Sequence, residues 1–110
     1  MAGADTMEFT DGNFEAEVLN SDRPVLVDFW ADWCMPCKAL GPTIDELATL
    51  YKDRVKVGKM STEENRDTPM KYNIQAIPTV LLFQDGEVVQ KFVGLQSKKD
   101  FQSALDKVTG

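Results

Sequence analysis

The sequence predicts an α/β fold in which a single central mixed sheet of five strands is flanked by four helices. Strand-like and helix-like segments alternate along residues 6–93, a pattern typical of strand–helix–strand units with parallel pairing and right-handed crossovers. Residues 24–31 are almost continuously apolar, as expected of a central strand that is buried on both faces. Two later strand-like segments are separated by only a short turn, which predicts an antiparallel hairpin at the sheet edge.

The first two elements are predicted by side-chain periodicity. Apolar and polar residues alternate over residues 6–10, which favours a weak first strand. Thr10 or Asp11 could then cap a short helix in which Phe14 and Val18 lie four residues apart on one face. The long apolar strand would follow this helix.

The longest predicted helix covers residues 34–51. Its apolar side chains recur at helical spacing and would face the core; they are Cys37, Leu40, Ile44, Leu47, Ala48 and Tyr51. Pro36 lies in the first turn, where a missing backbone N–H costs little. Pro42 lies deeper, and we expect it to play a structural part, removing the hydrogen bond to the Lys38 carbonyl and kinking the helix.

The second half of the chain predicts shorter elements. A third strand is expected at 55–60, and the polar segment 61–72 is expected to be loosely helical. Residues 79–83 and 87–93 would form the hairpin around the turn at 84–86, whose sequence is Gln-Asp-Gly. These segments complete the five strands.

The last helix is predicted by its own capping signal. Ser97 precedes Asp100 by three residues, as in a capping box. The helix would present an apolar face to the core, formed by Phe101, Ala104, Leu105 and Val108.

Length and charge limit the possible functions. The chain has 110 residues, which suits one domain covering residues 1–110. Its 12 basic and 18 acidic residues give a net charge of −6, which argues against a nucleic-acid surface and against an anionic membrane surface. The N-terminal segment lacks the cationic start and apolar run of a signal peptide, so we expect a cytoplasmic protein. We also expect a monomer in solution.

The counts of cysteine and histidine exclude several kinds of site. The chain has 2 cysteines and 0 histidines. A structural zinc site needs about four Cys or His ligands, and a Ser-His-Asp or Cys-His nucleophile needs a histidine, so no metal and no such nucleophile are expected. In a reducing compartment, two close cysteines indicate redox or metal chemistry more than a permanent cross-link.

The two cysteines stand at residues 33–37, Trp-Cys-Met-Pro-Cys, where the apolar strand ends and the long helix begins. At this spacing on a first helical turn they are close enough to form a disulfide. Cys34 would be exposed at the helix N-terminus, where unpaired N–H groups and the nearby Lys38 favour a thiolate. Cys37 should be buried, with a raised pKa. An exposed thiolate followed by a shielded thiol is typical of a nucleophile and its resolving partner.

Two other interpretations of the pair are a half-exposed structural disulfide and one half of a metal site. The strand–turn–helix context favours redox chemistry over both, as do the proline between the cysteines and the lack of further Cys or His ligands.

Several separated segments resemble the thioredoxin family, in the family's order. They are VDFWADWCMPCK at 27–38, Lys59, YNIQAIPT at 72–79, DGE at 85–87 and VG at 93–94. The resemblance spans essentially the whole chain and implies the thioredoxin fold, general reduction of protein disulfides, and recharging by a thioredoxin reductase. It also implies that the redox-active Cys34–Cys37 disulfide serves without a bound cofactor, NADPH entering only through the reductase. The family has glycine where this chain has Met35, which leaves the redox potential and the range of partners open.

Asp28 is an acid within the apolar strand. A buried, unpaired carboxylate is costly, so its pKa should be raised. The group could be a satisfied core carboxylate, whereas the family resemblance implies that it accepts the proton of Cys37 through a water molecule. Lys59, on the adjacent parallel strand, matches the family's partner for this acid, although it could equally be an ordinary lysine at a strand end.

The resemblance also assigns a docking surface around Cys34. Pro78 matches a cis-proline that faces the disulfide, and it would expose the backbone of Ile77 for pairing with a substrate peptide. The other residues expected to contact substrate are Trp33, Met35, Pro36, Ala76 and Gly94. Trp30 is expected to pack beneath the site.

Two rival functions follow from the same pattern. An oxidant or a disulfide isomerase would use similar cysteines, but Pro36 and the missing export signal favour a reductant. A binding module that uses this scaffold as an assembly partner would keep its function without Cys37, whereas a reductase would stall with substrate trapped on Cys34.

Overall fold

The computed structural model describes residues 3–110. These residues form five strands, one short π-helix and three α-helices. The strands are β1 (Met7–Glu8), β2 (Val25–Trp30), β3 (Lys56–Ser61), β4 (Thr79–Gln84) and β5 (Glu87–Val93). The π-helix is Glu15–Leu19, and the α-helices are α1 (Met35–Leu50), α2 (Asp67–Lys71) and α3 (Lys98–Thr109). The predicted single mixed sheet with four helices is confirmed.

β2 lies at the centre of the sheet, whose strand order is β1-β3-β2-β4-β5. It pairs in parallel with β3 and antiparallel with β4, and β1 pairs in parallel with β3. Because β2 has a strand on each side and an apolar core on each face, its residues from Val25 to Phe29 are all buried. The apolar run therefore forms the central strand, as predicted.

The expectation that both hairpin strands lie at the sheet edge is wrong for β4. This strand lies between β2 and β5, and only β5 is an edge strand. The side chains of β4 are apolar and buried along almost its whole length, which suits an inner strand, whereas most of β5 is exposed. Asp85 and Gly86 close the hairpin with φ angles of 54° and 82°. Two positive φ angles are what a tight two-residue turn between antiparallel strands requires.

The alternation of side chains along β2 determines where its acid points. Val25, Val27 and Phe29 belong to the apolar core on one face of the sheet. Leu26 belongs to the core on the other face, where α1 and α3 pack. Asp28 follows Leu26 by two residues and therefore faces the same side, toward α1.

The start of the chain is capped differently from the prediction. β1 covers only two residues, and the π-helix begins at Glu15 without a side-chain cap. The Thr10 hydroxyl accepts the N–H of Asn13 at 3.1 Å and closes a turn before that helix. Asp11 accepts three backbone N–H groups at the start of α2, 55–57 residues further along the chain. The predicted cap of the first helix is thus wrong, and Asp11 caps α2 instead.

The two longer helices follow the sequence signals closely, whereas α2 covers only Asp67–Lys71 of the segment 61–72 predicted to be loosely helical, and Ser61 ends β3. Cys34 is the N-cap of α1, Pro36 lies in its first turn, and the helix continues past Pro42. Ser97 and Asp100 form the predicted capping box at the start of α3. The cysteines are therefore held by the first turn of a long helix that packs on the central strand.

Candidate active site

The two cysteines lie between the end of β2 and the first turn of α1 and are joined by a disulfide. Their Cα atoms are 5.3 Å apart. The backbone N–H of Cys37 donates a hydrogen bond to the Sγ of Cys34 at 3.2 Å. One of the unpaired N–H groups of a helix N-terminus is thereby directed at the Cys34 sulfur, where it can stabilise negative charge.

Solvent exposure does not distinguish the two cysteines, contrary to the expectation of an exposed Cys34. Their exposed fractions are 4% for Cys34 and 3% for Cys37, because both are packed with Ala31, Trp30 and Ile77. They differ in what they face. The Sγ of Cys34 lies 3.8 Å from the carbonyl oxygen of Ile77, whereas Cys37 lines a cavity on the side of α1. The asymmetry of the pair lies in these surroundings.

The cavity beside Cys37 has a volume of about 640 Å³. Residues of β1, β2, β3 and α1 line it, among them Asp28, Trp30, Cys37, Gly41, Asp45 and Lys59. The exposed side chains of Lys38 and Pro42 also line it, so the space communicates with solvent. The cavity brings together the second cysteine and the acid of the central strand.

Asp28 is a buried carboxyl that lacks hydrogen-bond partners among the described residues. It is 1% exposed, and among the described residues neither of its carboxylate oxygens has a hydrogen-bond partner. Burial raises the pKa of Asp28 to about 7; the positive charge of Lys59 opposes this rise and the negative charge of Asp45 adds to it. A carboxyl with this pKa can both accept and release a proton near neutral pH, which is the property of a general base.

Lys59 is the residue paired with Asp28 across the parallel β2–β3 ladder. Its ammonium forms an ion pair with Asp45 of α1, with 3.6 Å between Nζ and Oδ1. The same Oδ1 atom accepts a hydrogen bond from the Thr6 hydroxyl at 2.6 Å. Lys59 therefore forms its ion pair with Asp45, and its charge acts on Asp28 without direct contact.

Sequence reasoning missed Asp45 and Gly41. Both follow Cys37 at intervals of four residues and share its side of α1, and this spacing was the available signal. A Cβ atom on Gly41 would lie 3.3 Å from the Nζ of Lys59, so the glycine leaves room for the lysine to reach Asp45. Thr6 gave no signal, because its contact with α1 exists only in the tertiary structure.

The other side of the disulfide is an apolar rim. The Ile77–Pro78 peptide bond is cis, and the carbonyl of Ile77 lies beside Cys34. Gly94, with a φ angle of 83°, donates its N–H to the Pro78 carbonyl at 2.8 Å. The exposed members of the rim are Trp33 (70% exposed), Met35 (71% exposed), Pro36 and Ala76. All the residues predicted for docking thus lie in the 33–36 turn or in the segments around Pro78 and Gly94.

The site is made of a disulfide, a buried carboxyl and a lysine. Within residues 3–110, no group of three or more Cys, Asp or Glu side chains is arranged to hold a metal ion. None of the helices in this part of the chain combines the length and the apolar composition needed to cross a bilayer.

Comparison with known proteins agrees with this geometry. The family model described as thioredoxin matches residues 5–107. The chain belongs to the thioredoxin family. It is 50% identical to the thioredoxin of Pseudomonas aeruginosa over 97 residues, which cover 88% of this chain and 90% of the relative. It is 50% identical to the thioredoxin of Rickettsia typhi over 98 residues, covering 89% and 93%. It is 48% identical to thioredoxin 1 of Synechococcus elongatus over 98 residues, covering 89% and 92%.

Membership of the thioredoxin family assigns a redox function to the disulfide. Thioredoxins are disulfide oxidoreductases, and the Cys34–Cys37 pair is the redox-active pair of this member. The thioredoxin fold and the disulfide reductase function predicted from the sequence are both confirmed.

Proposed function

We propose that this chain carries electrons from a thioredoxin reductase to the disulfides of target proteins, with Cys34 as the attacking residue and Cys37 as the resolving residue. One observation supports this division of roles above the others. Cys37 shares a cavity with the unpaired carboxyl of Asp28, while Cys34 faces the exposed apolar rim. A target protein can approach the rim, and the proton acceptor lies on the opposite side.

The first step is attack by the reduced protein on a target disulfide. The Cys34 thiolate forms a bond to one target sulfur, and the other target sulfur leaves as a thiolate and takes up a proton from solvent. The helix N-terminus lowers the cost of the attacking thiolate, since the N–H of Cys37 points at the Cys34 sulfur. The product is a mixed disulfide between Cys34 and the target.

The second step releases the target. The Cys37 thiol passes its proton to the Asp28 carboxylate through water in the cavity that both residues line. The Cys37 sulfur then attacks the sulfur of Cys34, and the target's remaining thiolate departs and takes up a proton. The sum of both steps is two electrons and two protons transferred to the target. Lys59 offsets the negative charge on Asp28 while that carboxyl is ionised.

Substrate docking is assigned to the rim around Cys34. The backbone of Ile77, whose carbonyl lies beside the Cys34 sulfur, would pair with an extended segment of the target there. The apolar and small groups expected to receive that segment are Trp33, Met35, Pro36, Ala76 and Gly94. Trp30 and Pro42 would support the site without contacting the target.

The partners proposed are a thioredoxin reductase and proteins that contain disulfides. NADPH would enter only through that reductase, and the chain itself would need no bound cofactor. We further propose that residues 1–110 act as one domain and as a monomer in the cytoplasm. The net charge of −6 supports protein targets over nucleic acid.

Trapping of the mixed disulfide tests this assignment. A Cys37→Ser variant cannot complete the second step, so it should accumulate as a covalent adduct with a disulfide-containing target such as insulin. The adduct is measured by intact mass spectrometry and should disappear on addition of dithiothreitol.

A Cys34→Ser variant is the matched control, because it keeps one cysteine in the same turn. It should form little adduct, since the remaining sulfur lies against the cavity and lacks the helix N–H. Equal trapping by both variants would contradict the assigned roles. A Cys37→Ser variant that keeps the function of the protein without any disulfide exchange would instead indicate a binding module in which redox chemistry is incidental.

A further inference from the structure

We propose that Asp45, anchored by Thr6, is a positioning residue that holds the Lys59 ammonium away from Asp28 and so keeps Asp28 available as a proton acceptor. The inference rests on the proposed role of Asp28. It concerns a carboxylate of α1 whose polar contacts are with Gly3, Thr6 and Lys59 and not with either cysteine.

The first argument is the geometry of a competition between two acids for one lysine. Lys59 is the ladder partner of Asp28, so the strands alone would leave the lysine beside that acid. The ammonium is found 3.6 Å from Asp45 instead, beside Gly41 of α1, where a Cβ would lie only 3.3 Å from Nζ. Both carboxylate oxygens of Asp28 are left without a hydrogen-bond partner among the described residues.

The second argument is that Asp45 is itself held in place. Its Oδ1 atom accepts the Thr6 hydroxyl at 2.6 Å while it faces the Lys59 ammonium. Burial tends to raise the pKa of Asp45, but the hydrogen bonds from Thr6 and Gly3 and the charge of Lys59 together hold it below its usual value. Asp45 therefore stays ionised at every pH at which Asp28 titrates, and its hold on the lysine is constant.

The other charged groups around the cavity do not take this role. They are Glu8 of β1, Asp32 after β2, Lys38 of α1 and Glu64 after β3. The charges that act on Asp28 are those of Lys59, which lowers its pKa, and Asp45, which raises it. Removing the Asp45 charge should thus act twice in the same direction, because it deletes a repelling charge and frees an attracting one.

Titration of Asp28 in the oxidised protein tests the proposal without any catalytic step. The probe is the carboxyl ¹³C chemical shift of Asp28, assigned by its loss in Asp28→Asn. An Asp45→Asn substitution should lower the titration midpoint of Asp28 by about 1 pH unit, the scale on which an opposite charge moves a carboxyl. The acid limb of the pH–rate profile for insulin reduction should move in the same direction.

Three further variants control the experiment. Glu46→Gln removes the same charge from the neighbouring position, where the side chain pairs with Lys98 at the surface, and should leave the midpoint unchanged. Asp45→Glu keeps the charge, so the titration midpoint of Asp28 in this variant should stay near that of the parent. Thr6→Val keeps every charge but loses the anchor, so it should give a smaller shift of the same sign and serves if Asp45→Asn does not fold.

An Asp28 midpoint in Asp45→Asn that equals that of the parent and of Glu46→Gln would overturn the proposal. A midpoint that rises would also overturn it. If the midpoint falls as expected while the pH–rate profile stays fixed, the positioning by Asp45 holds, and the failure belongs to the proposed role of Asp28 in catalysis.

Discussion

The backbone N–H of Cys37 donates a hydrogen bond to the Sγ of Cys34, at a distance of 3.2 Å. Among residues 3–110 no N–H group is directed in this way at the sulfur of Cys37, whose side chain lines the cavity that Asp28 also lines. In the reduced protein this arrangement favours a thiolate on the first cysteine and a thiol on the second.

This difference should appear in alkylation. In the reduced protein near neutral pH, Cys34 should react with iodoacetamide at least about tenfold faster than Cys37, because only its thiolate is stabilised by the helix N-terminus. Brief labelling followed by peptide mass spectrometry measures the ratio. Equal labelling of the two cysteines would contradict the asymmetric mechanism.

Replacing the buried acid should stabilise the fold in a pH-dependent way. The pKa of Asp28 is raised in the folded state to about 7, so its contribution to stability is fully present below the unfolded pKa near 4 and is lost as the pH rises through about 7. The stability of Asp28→Asn relative to the parent should therefore increase by about 2–3 kcal/mol between pH 5 and pH 8.

Urea unfolding at pH 5, 6, 7 and 8 measures that increase. The same variant should resolve mixed disulfides more slowly near neutral pH, because the proton acceptor is gone. A stability difference that does not change with pH would show that the carboxyl of Asp28 is not shifted. Unchanged turnover at pH 6–7 would argue against its role as the base.

The long-range cap of α2 should also be measurable. Asp11 accepts N–H groups of Arg66, Asp67 and Thr68 at 2.9–3.1 Å. Asp11→Ala should cost about 1 kcal/mol at pH 7, the usual scale for losing a capping side chain. Asp11→Asn keeps an acceptor oxygen and should cost less.

The cost of Asp11→Ala should shrink in acid. Burial acts to raise the pKa of Asp11, but the hydrogen bonds from Thr68, Asp67 and Arg66 together hold it below its usual value. The stability that it contributes is present above its unfolded pKa and is lost as the pH falls through the lower folded value. The difference in stability between parent and Asp11→Ala, measured by denaturant unfolding, should therefore narrow as the pH falls through that lowered pKa; a constant gap would exclude an ionised cap.

The methionine between the cysteines should have only a limited effect on redox potential. Met35 is 71% exposed and begins α1, so its side chain gives the sulfurs little cover. Met35→Gly should change the potential by no more than about 20 mV, since glycine costs at most about 1 kcal/mol of helix stability and 30 mV corresponds to about 1.4 kcal/mol. Equilibration of both proteins with glutathione measures the difference between their reduction potentials. A shift well above this would mean that Met35 acts on the sulfurs directly.

The sequence is most informative where structure is local. Periodicity and caps predict β2, α1 and α3 closely, and the spacing of Cys34 and Cys37 at a strand–helix junction predicts the redox pair. An acid in an apolar strand predicts a raised pKa, which Asp28 has. These features depend on neighbours within a few residues along the chain.

What the sequence could not supply depends on segments that meet only after folding. The Asp11 cap joins residues 55–57 positions apart, and the Thr6–Asp45 bond joins residues 39 positions apart. The burial of Cys34 depends on Ile77 packing against it, which no local pattern indicates. The strand order also depends on distant segments, because β4 lies inside the sheet by pairing with β2, which comes far earlier in the chain.

The parallel pairing of β2 with β3 has a consequence for newly made chains. Strand β3 and the Ile77 segment follow the cysteines by about 20 and 40 residues, so a ribosome-bound chain exposes both thiols before the sheet can close around them. Until then Asp28 has water around it and the cysteines keep the pKa near 8.5 of any free thiol. A half-made chain is therefore an ordinary dithiol peptide, and its sulfurs become unequal only once α1, β3 and the Ile77 segment have come together around them.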